Sequence, residues 1–103
     1  MAVSELTQEN FSQETAKPGV AVVEFYSDTC SVCKQLLPVL EELSSKHRQV
    51  RFYKINAQQA RQLCLTHRVL SLPTTLLLKG GNLVDKVAGF KSTTDMDALI
   101  RNA

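Results

Sequence analysis

The sequence predicts an α/β fold in which helices cover both faces of a central mixed β-sheet. Three patterns indicate it. Residues 20–26 form an almost continuous apolar run, typical of a strand buried on both faces, and apolar residues at helical spacing follow it. Later, two strand-like segments flank Gly80 and Gly81, a pair that favours a tight antiparallel hairpin because glycine accepts positive φ. We expect one domain over 1–103, since a chain of this length can bury a single core.

The first predicted element is a helix over residues 8–15. Thr7 is its expected N-cap, and Leu6 is placed to pack against Phe11 as a hydrophobic staple. Lysine, proline and glycine at 17–19 end this helix, so the apolar strand can begin directly after it.

The second helix is predicted to begin around Cys30 and Cys33 and to continue to about Lys46. Its apolar positions recur every three or four residues, which places them on one face. Those positions are Leu36, Leu37, Leu40 and Leu43. The two cysteines are therefore expected in the first turn of this helix.

The second half of the chain supplies the remaining elements. Alternating apolar residues predict a strand at 51–56, and a weakly amphipathic segment predicts a helix at 57–66. The hairpin strands are predicted at 74–79 and 83–88. The sequence from Ser92 to Asp95 matches a capping box, so a final helix is expected to start there.

Composition and charge narrow the class of protein. Apolar residues make up 44% of the chain and charged residues 21%, as expected for a soluble globular protein. Twelve Lys and Arg oppose ten Asp and Glu, and the basic residues are scattered, so neither nucleic-acid nor membrane binding is supported. No apolar run approaches the roughly 20 residues of a membrane-spanning helix. The first residues lack the pattern of a secretory signal, which favours a cytoplasmic location.

Two of the three cysteines form a Cys-x-x-Cys pair at a predicted helix N-terminus. Such a pair can close a small disulfide, and the unpaired amides and dipole of the helix stabilise a thiolate. Cys30 precedes the body of the helix and is the expected nucleophile, whereas Cys33 lies one turn in and is the expected resolving thiol. Redox chemistry is favoured over two cysteines that merely fill a core.

A metal site is the alternative from a different class. Cys30, Cys33, Cys64 and His67 supply three thiolates and an imidazole, which is a legitimate zinc ligand set. The intervening segment is long and the domain does not need zinc to fold, so the redox interpretation is preferred and no metal is expected. Taken singly, Cys64 is expected to be partly buried on a helix, and His47 and His67 to lie at the surface.

Glu24 is the only charged residue in the apolar strand. A buried carboxyl group there should have a raised pKa unless a cation offsets the loss of hydration, and Lys54 on a neighbouring strand is the candidate cation. If both face the second helix, Glu24 could exchange a proton with Cys33. The alternative is that Glu24 simply points to solvent.

The chain resembles the thioredoxin family over almost its whole length, which implies the thioredoxin fold. The resemblance rests on the following co-linear residues: Val22-Val23-Glu24-Phe25, Cys30-x-x-Cys33-Lys34, Pro38, Lys54-Ile55-Asn56, Leu72-Pro73-Thr74 and Gly89, together with the opening and closing helices. It implies a cis Leu72–Pro73 bond beside the disulfide, with Leu72, Pro73 and Gly89 on the substrate-binding surface. It also implies that Glu24 occupies the position of a buried family aspartate and that Lys54 matches the lysine near it.

The same resemblance implies a protein-disulfide reductase. The first cysteine attacks a disulfide in a protein substrate, and the second cysteine releases the reduced product. A separate reductase resembling thioredoxin reductase would supply the electrons, no bound cofactor is expected, and the protein is expected to be a monomer.

The chain departs from the family next to its cysteines. Ser31-Val32 replace the usual Gly-Pro and Thr29 replaces a tryptophan. These three residues are expected to contact substrate and to affect the redox potential, so an oxidant or isomerase remains an alternative to a reductase, as does a binding module without turnover.

Overall fold

A computed structural model of the chain describes residues 3–103. In chain order the elements are β1 (Val3–Leu6), α1 (Phe11–Thr15), β2 (Val20–Tyr26), α2 (Ser31–Lys46), β3 (Arg51–Asn56), a 3-10 turn (Ala57–Gln59), α3 (Arg61–Thr66), β4 (Thr74–Lys79), β5 (Asn82–Ala88) and α4 (Thr93–Arg101). The strands form one mixed sheet in the order β1-β3-β2-β4-β5. The predicted α/β class, with the apolar β2 at the centre of the sheet, is confirmed.

The mixed character of the sheet follows from its connections. Helix α2 carries the chain from β2 to β3, which pair in parallel, whereas the glycine turn joins β4 and β5 in antiparallel pairing. Strand β4 also runs antiparallel to β2, with Thr74 opposite Phe25. The end of β2, the start of β4 and the end of β5 therefore meet at one edge of the molecule.

Two apolar clusters cover the two faces of the sheet. One contains Leu6 and Phe11 with part of α3, and the other contains Leu36, Leu40 and Met96 from α2 and α4. Alternate residues of β2 contribute to opposite clusters because successive strand side chains point to opposite faces. Helices thus lie on both faces, as predicted. No helix within residues 3–103 has the length and apolar character needed to cross a membrane.

The first residues of the described chain differ from the prediction. Val3–Leu6 form a strand at the edge of the sheet, and the opening helix begins at Phe11 instead of residue 8. Between them, the Thr7 amide donates to Asn10 Oδ1 at 2.8 Å and the Asn10 amide donates to Thr7 Oγ1 at 3.2 Å. These reciprocal bonds close a turn, so Thr7 caps the turn that precedes the helix.

The predicted helix over 57–66 is also divided. A 3-10 turn is followed by Ala60, whose φ of −139° is not helical, and α3 begins only at Arg61. Asn56 starts the first piece by accepting a hydrogen bond from the Gln58 amide. Ala60 is fully buried, so tertiary packing sets the backbone where local propensity favoured one continuous helix.

Candidate active site

Cys30 and Cys33 are joined by a disulfide at the N-terminus of α2. Cys30 is the N-cap residue, Cys33 lies in the first turn, and their Cα atoms are 5.3 Å apart. The Cys33 amide donates a hydrogen bond to Cys30 Sγ at 3.1 Å, so the sulfur takes the place of a capping oxygen. Once the pair is reduced, the same N–H and the helix dipole stabilise negative charge on Cys30.

The two sulfurs lie in different environments. Cys30 is half-buried, whereas the Cys33 residue is 3% exposed. Thr29, Ser31 and Val32 are exposed around Cys30, and Val32 is among the large apolar residues open to solvent. A partner can therefore approach Cys30 far more readily than Cys33.

A second loop reaches the same edge of the sheet. The peptide bond between Leu72 and Pro73 is cis, as the family resemblance implied. Pro73 is buried and Leu72 half-buried, directly before Thr74 begins β4. The Gly89 amide donates to the Pro73 carbonyl at 2.8 Å, which fixes the end of β5 against this loop.

Glu24 is buried on the face of the sheet that α2 covers. It is 1% exposed, and its Oε2 atom has no hydrogen-bond partner. Glu24 and Cys33 line a common cavity of about 400 Å³, which Asp28 and Lys54 also line. Loss of hydration raises the pKa of Glu24 from its ordinary value of 4.5 to about 7, while the charge of Lys54 acts in the opposite direction. Glu24 thus does not point to solvent, and its carboxyl group can change charge near neutral pH.

Lys54 is shared among several groups. It lies opposite Glu24 in the parallel register of β2 and β3. Its Nζ atom is 3.9 Å from Glu5 Oε1 and 5.4 Å from the centre of the Tyr26 ring, and Tyr26 in turn donates to Glu5 at 2.6 Å. Sequence reasoning missed this contribution of Glu5 and Tyr26, because it arises only when β1 pairs beside β3.

The zinc ligand set does not come together. Among residues 3–103, no group of three or more His, Cys, Asp or Glu side chains is arranged to hold a metal ion. Cys64 is half-buried, and its thiol faces the Ala57 carbonyl at 3.7 Å. The His67 ring packs against Phe11 with 5.4 Å between ring centres. Both residues belong to the α3 side of the sheet.

His47 is buried, whereas the sequence predicted it to lie at the surface. It is 8% exposed, and its Nε2 atom lies 2.5 Å from Asp97 Oδ1. This pair connects the end of α2 to α4.

A separate cavity of about 490 Å³, lined by Arg48 and Arg51 among others, contains none of the predicted site residues.

Known proteins share both the sequence pattern and the fold. The family model for thioredoxin matches residues 2–102. Thioredoxin from Peptoclostridium acidaminophilum is 37% identical over 99 residues, which cover 93% of this chain and 90% of that protein. Thioredoxin from Bacillus subtilis (strain 168) is 34% identical over 101 residues, which cover 97% of this chain and 96% of that protein.

Solved structures give the same result. Oxidised mitochondrial thioredoxin 3 from Saccharomyces cerevisiae has a TM-score of 0.89 at 26% identity and matches 98% of this chain and 95% of its own. Thioredoxin f2 from Chlamydomonas reinhardtii also has a TM-score of 0.89, at 28% identity and with the same coverage of 98% and 95%. The similarity extends over nearly the full length of each protein.

Proposed function

The chain belongs to the thioredoxin family, and we propose that Cys30 opens the disulfide of a protein substrate while Cys33, assisted by Glu24, releases the reduced product. The protein is a thiol–disulfide oxidoreductase that reduces protein disulfides by dithiol exchange. The observation that carries the division of roles is the unequal exposure of the two cysteine residues at the start of one helix.

In the first step, the Cys30 thiolate attacks one sulfur of the substrate disulfide. A bond forms between Cys30 and that sulfur, the substrate S–S bond breaks, and the other substrate sulfur leaves as a thiolate. The partial exposure of Cys30 and the N–H of Cys33 support this role. Thr29, Ser31, Val32 and Leu72 would contact the substrate, with Pro73 and Gly89 shaping the same surface.

In the second step, the Cys33 thiol loses its proton to the Glu24 carboxylate across their shared cavity. The Cys33 thiolate then attacks Cys30, the bond between Cys30 and the substrate breaks, and the second substrate sulfur leaves as a thiolate. Two electrons have passed to the substrate, and the Cys30–Cys33 disulfide remains. A pKa of about 7 suits Glu24 to accepting a proton near neutral pH.

A separate reductase that resembles thioredoxin reductase would return the two electrons to the Cys30–Cys33 disulfide, and the protein would hold no cofactor of its own. Family membership supports a reductase partner and protein disulfide substrates.

We also propose that the protein acts as a monomer in the cytoplasm, where the half-buried free thiol of Cys64 would stay reduced. Cell fractionation and light scattering of the purified protein test these two points.

The mechanism is tested by reduction of insulin with dithiothreitol as the electron source. Wild type and Cys64→Ser should reduce insulin at the same rate, whereas Cys30→Ser should be inactive. Cys33→Ser should accumulate a mixed disulfide with insulin, because Cys30 still attacks but the product is not released. Equal rates for wild type and Cys30→Ser would refute the mechanism, and a mixed disulfide formed by Cys30→Ser would reverse the two roles.

A further inference from the structure

Five residues form a row across one face of the sheet. Strand pairing places Glu5 beside Lys54, Lys54 beside Glu24, Glu24 beside Thr75 and Thr75 beside Val87. Neighbours in register point to the same face of a sheet, with Cβ atoms of directly opposed antiparallel residues about 4.5–5.5 Å apart. Glu24 thus has Lys54 on one side and Thr75 on the other.

Glu24 and Thr75 share an unusual feature. Both side chains are buried, Thr75 completely, and each has one oxygen without a hydrogen-bond partner, Glu24 Oε2 and Thr75 Oγ1. Burying two unpaired polar groups is unfavourable. The two oxygens are not hydrogen-bonded to each other in this structure, and a side-chain rotation that brings the Thr75 hydroxyl group to the carboxylate would satisfy both at once. The preceding residue, Thr74, already donates its hydroxyl proton to the Ser71 carbonyl at 2.6 Å.

The other groups around Glu24 leave Thr75 as the neutral hydrogen-bond donor beside its carboxyl group. On the β3 side, Lys54 interacts with Glu5 and with the ring of Tyr26. From α2 and the loop before it, Cys33, Lys34 and Asp28 line the cavity beside the carboxyl group. On the β4 side, the residue opposite Glu24 is Thr75, and its side chain is neutral.

We propose that Thr75 is a positioning residue for Glu24: its Oγ1–H donates a hydrogen bond to the ionised Glu24 carboxylate and holds it in place to receive the proton of Cys33. This inference rests on the proposed function, in which Glu24 is the proton acceptor. A donor to the charged form favours ionisation, so Thr75 keeps the pKa of Glu24 lower than burial alone would set it. At neutral pH a larger fraction of the protein then carries an ionised Glu24 that can accept the proton of Cys33.

The first test titrates the Glu24 carboxyl carbon by ¹³C NMR in the oxidised protein, where Cys33 does not titrate. Thr75→Val keeps the shape of the side chain but removes the donor, and it should raise the midpoint by about one pH unit. Thr75→Ser retains the hydroxyl group and should keep the wild-type midpoint. Thr74→Val is the matched control, because it removes a buried hydroxyl group that bonds elsewhere, and it should leave the midpoint unchanged.

The second test measures the pH dependence of product release from a mixed disulfide preformed on Cys30. The acidic limb should move to higher pH in Thr75→Val by the same amount as the NMR midpoint, and Glu24→Gln should lack that limb. In the Glu24→Gln background, adding Thr75→Val should change nothing further.

The outcomes separate the two ideas. If Glu24→Gln removes the acidic limb but Thr75→Val moves neither the limb nor the NMR midpoint, the role of Thr75 is refuted and the role of Glu24 stands. If Glu24→Gln keeps the limb, both are refuted, since there is then no proton acceptor for Thr75 to position. Equal shifts in Thr75→Val and Thr74→Val would also refute the proposal, because they indicate a general effect of lost hydroxyl groups.

Discussion

Lys54 lies opposite Glu24 in the strand register, yet its ammonium group is engaged by Glu5 and by the ring of Tyr26. Glu24 is therefore a buried carboxyl group whose charge partner, Lys54, is shared with another acid. Its charged form is not fully compensated, which is why burial outweighs Lys54 in setting its pKa. This arrangement allows the Glu24 carboxyl group to exchange a proton near neutral pH, but its uncompensated charge lowers the stability of the folded protein.

Glu24→Gln should make the protein more stable above neutral pH. The pKa of Glu24 is raised by folding from 4.5 to about 7, so the folded state holds the extra proton between these values and wild type loses stability as the pH rises through this window. At about 1.4 kcal/mol per pKa unit, the total loss is about 3 kcal/mol.

Urea unfolding of the oxidised protein at about pH 4 and about pH 8 measures this effect. The advantage of Glu24→Gln over wild type should grow by about 3 kcal/mol between the two conditions. Glu41→Gln, which alters an exposed glutamate on α2, is the control and should follow wild type. Parallel pH profiles for Glu24→Gln and wild type would contradict the prediction.

Lys54→Met should raise the pKa of Glu24 further. The substitution keeps most of the apolar stem of Lys54 but removes the charge that favours the ionised carboxylate. An increase of about one pH unit in the Glu24 midpoint is expected by ¹³C NMR. Lys79→Met, at the exposed end of β4, removes a charge of the same sign and should leave the midpoint in place. An unchanged midpoint in Lys54→Met would show that Glu5 fully neutralises this lysine.

The three thiols of the reduced protein should differ in their rates of alkylation. Cys30 is partly accessible, and its sulfur accepts a hydrogen bond from the Cys33 amide. Burial raises the pKa of the Cys64 thiol, and Cys33 is almost inaccessible. Iodoacetamide at about pH 7 should modify Cys30 at least about tenfold faster than Cys64. Peptide mass spectrometry over time provides the measurement, with Cys30→Ser as the control. Faster labelling of Cys64 than of Cys30 would argue against an activated Cys30.

Local sequence patterns were sufficient for most of the fold. The apolar run of β2, the leucine spacing of α2 and the glycine pair before β5 each depend on neighbours in the chain, and all three predictions are confirmed. Placing Cys30 and Cys33 at the N-terminus of α2 follows from the same local spacing.

Features that depend on distant pairing were not predictable in this way. Strand β1 has only four residues, two of which are exposed, so its pattern is too short to separate from a helix start. His47 and Asp97 are fifty positions apart and meet only because α2 and α4 pack together. Thr75 lies beside Glu24 through the register of β2 and β4, which the sequence does not display.

Gly89→Ala should destabilise the protein through the backbone. The φ of Gly89 is +84°, and a Cβ atom there would meet nothing within 4 Å, so strain and not a clash sets the cost. We expect a loss of about 1–2 kcal/mol in the free energy of unfolding. Gly89→Asn should lose less, because asparagine tolerates positive φ better than alanine does. Urea unfolding of both variants tests this order, and equal losses would contradict it.

The pairing between α2 and α4 should give the protein a second, opposite pH dependence. Asp97 is bonded by His47 Nε2, by Arg101 Nε at 2.9 Å and by Lys46 Nζ at 3.3 Å. The hydrogen bond with His47, followed by that with Arg101, holds the pKa of Asp97 well below its ordinary value. A carboxyl group whose pKa is lowered by folding stabilises the protein fully above its unfolded pKa of about 4, and this contribution is lost progressively as the pH falls from there towards the lowered pKa of the folded state.

Asp97→Asn should therefore lower the Tm near neutral pH, where wild type keeps all three charged or hydrogen-bonded contacts. The difference from wild type should shrink as the pH falls from about 4 towards 2, because protonation removes the same negative charge from wild type. Glu41→Gln, at an exposed position on α2, controls for the change in net charge. Thermal unfolding followed by circular dichroism provides the comparison. A Tm difference that stayed constant down to about pH 2 would mean that the charge of Asp97 contributes nothing to the stability of the contact between α2 and α4.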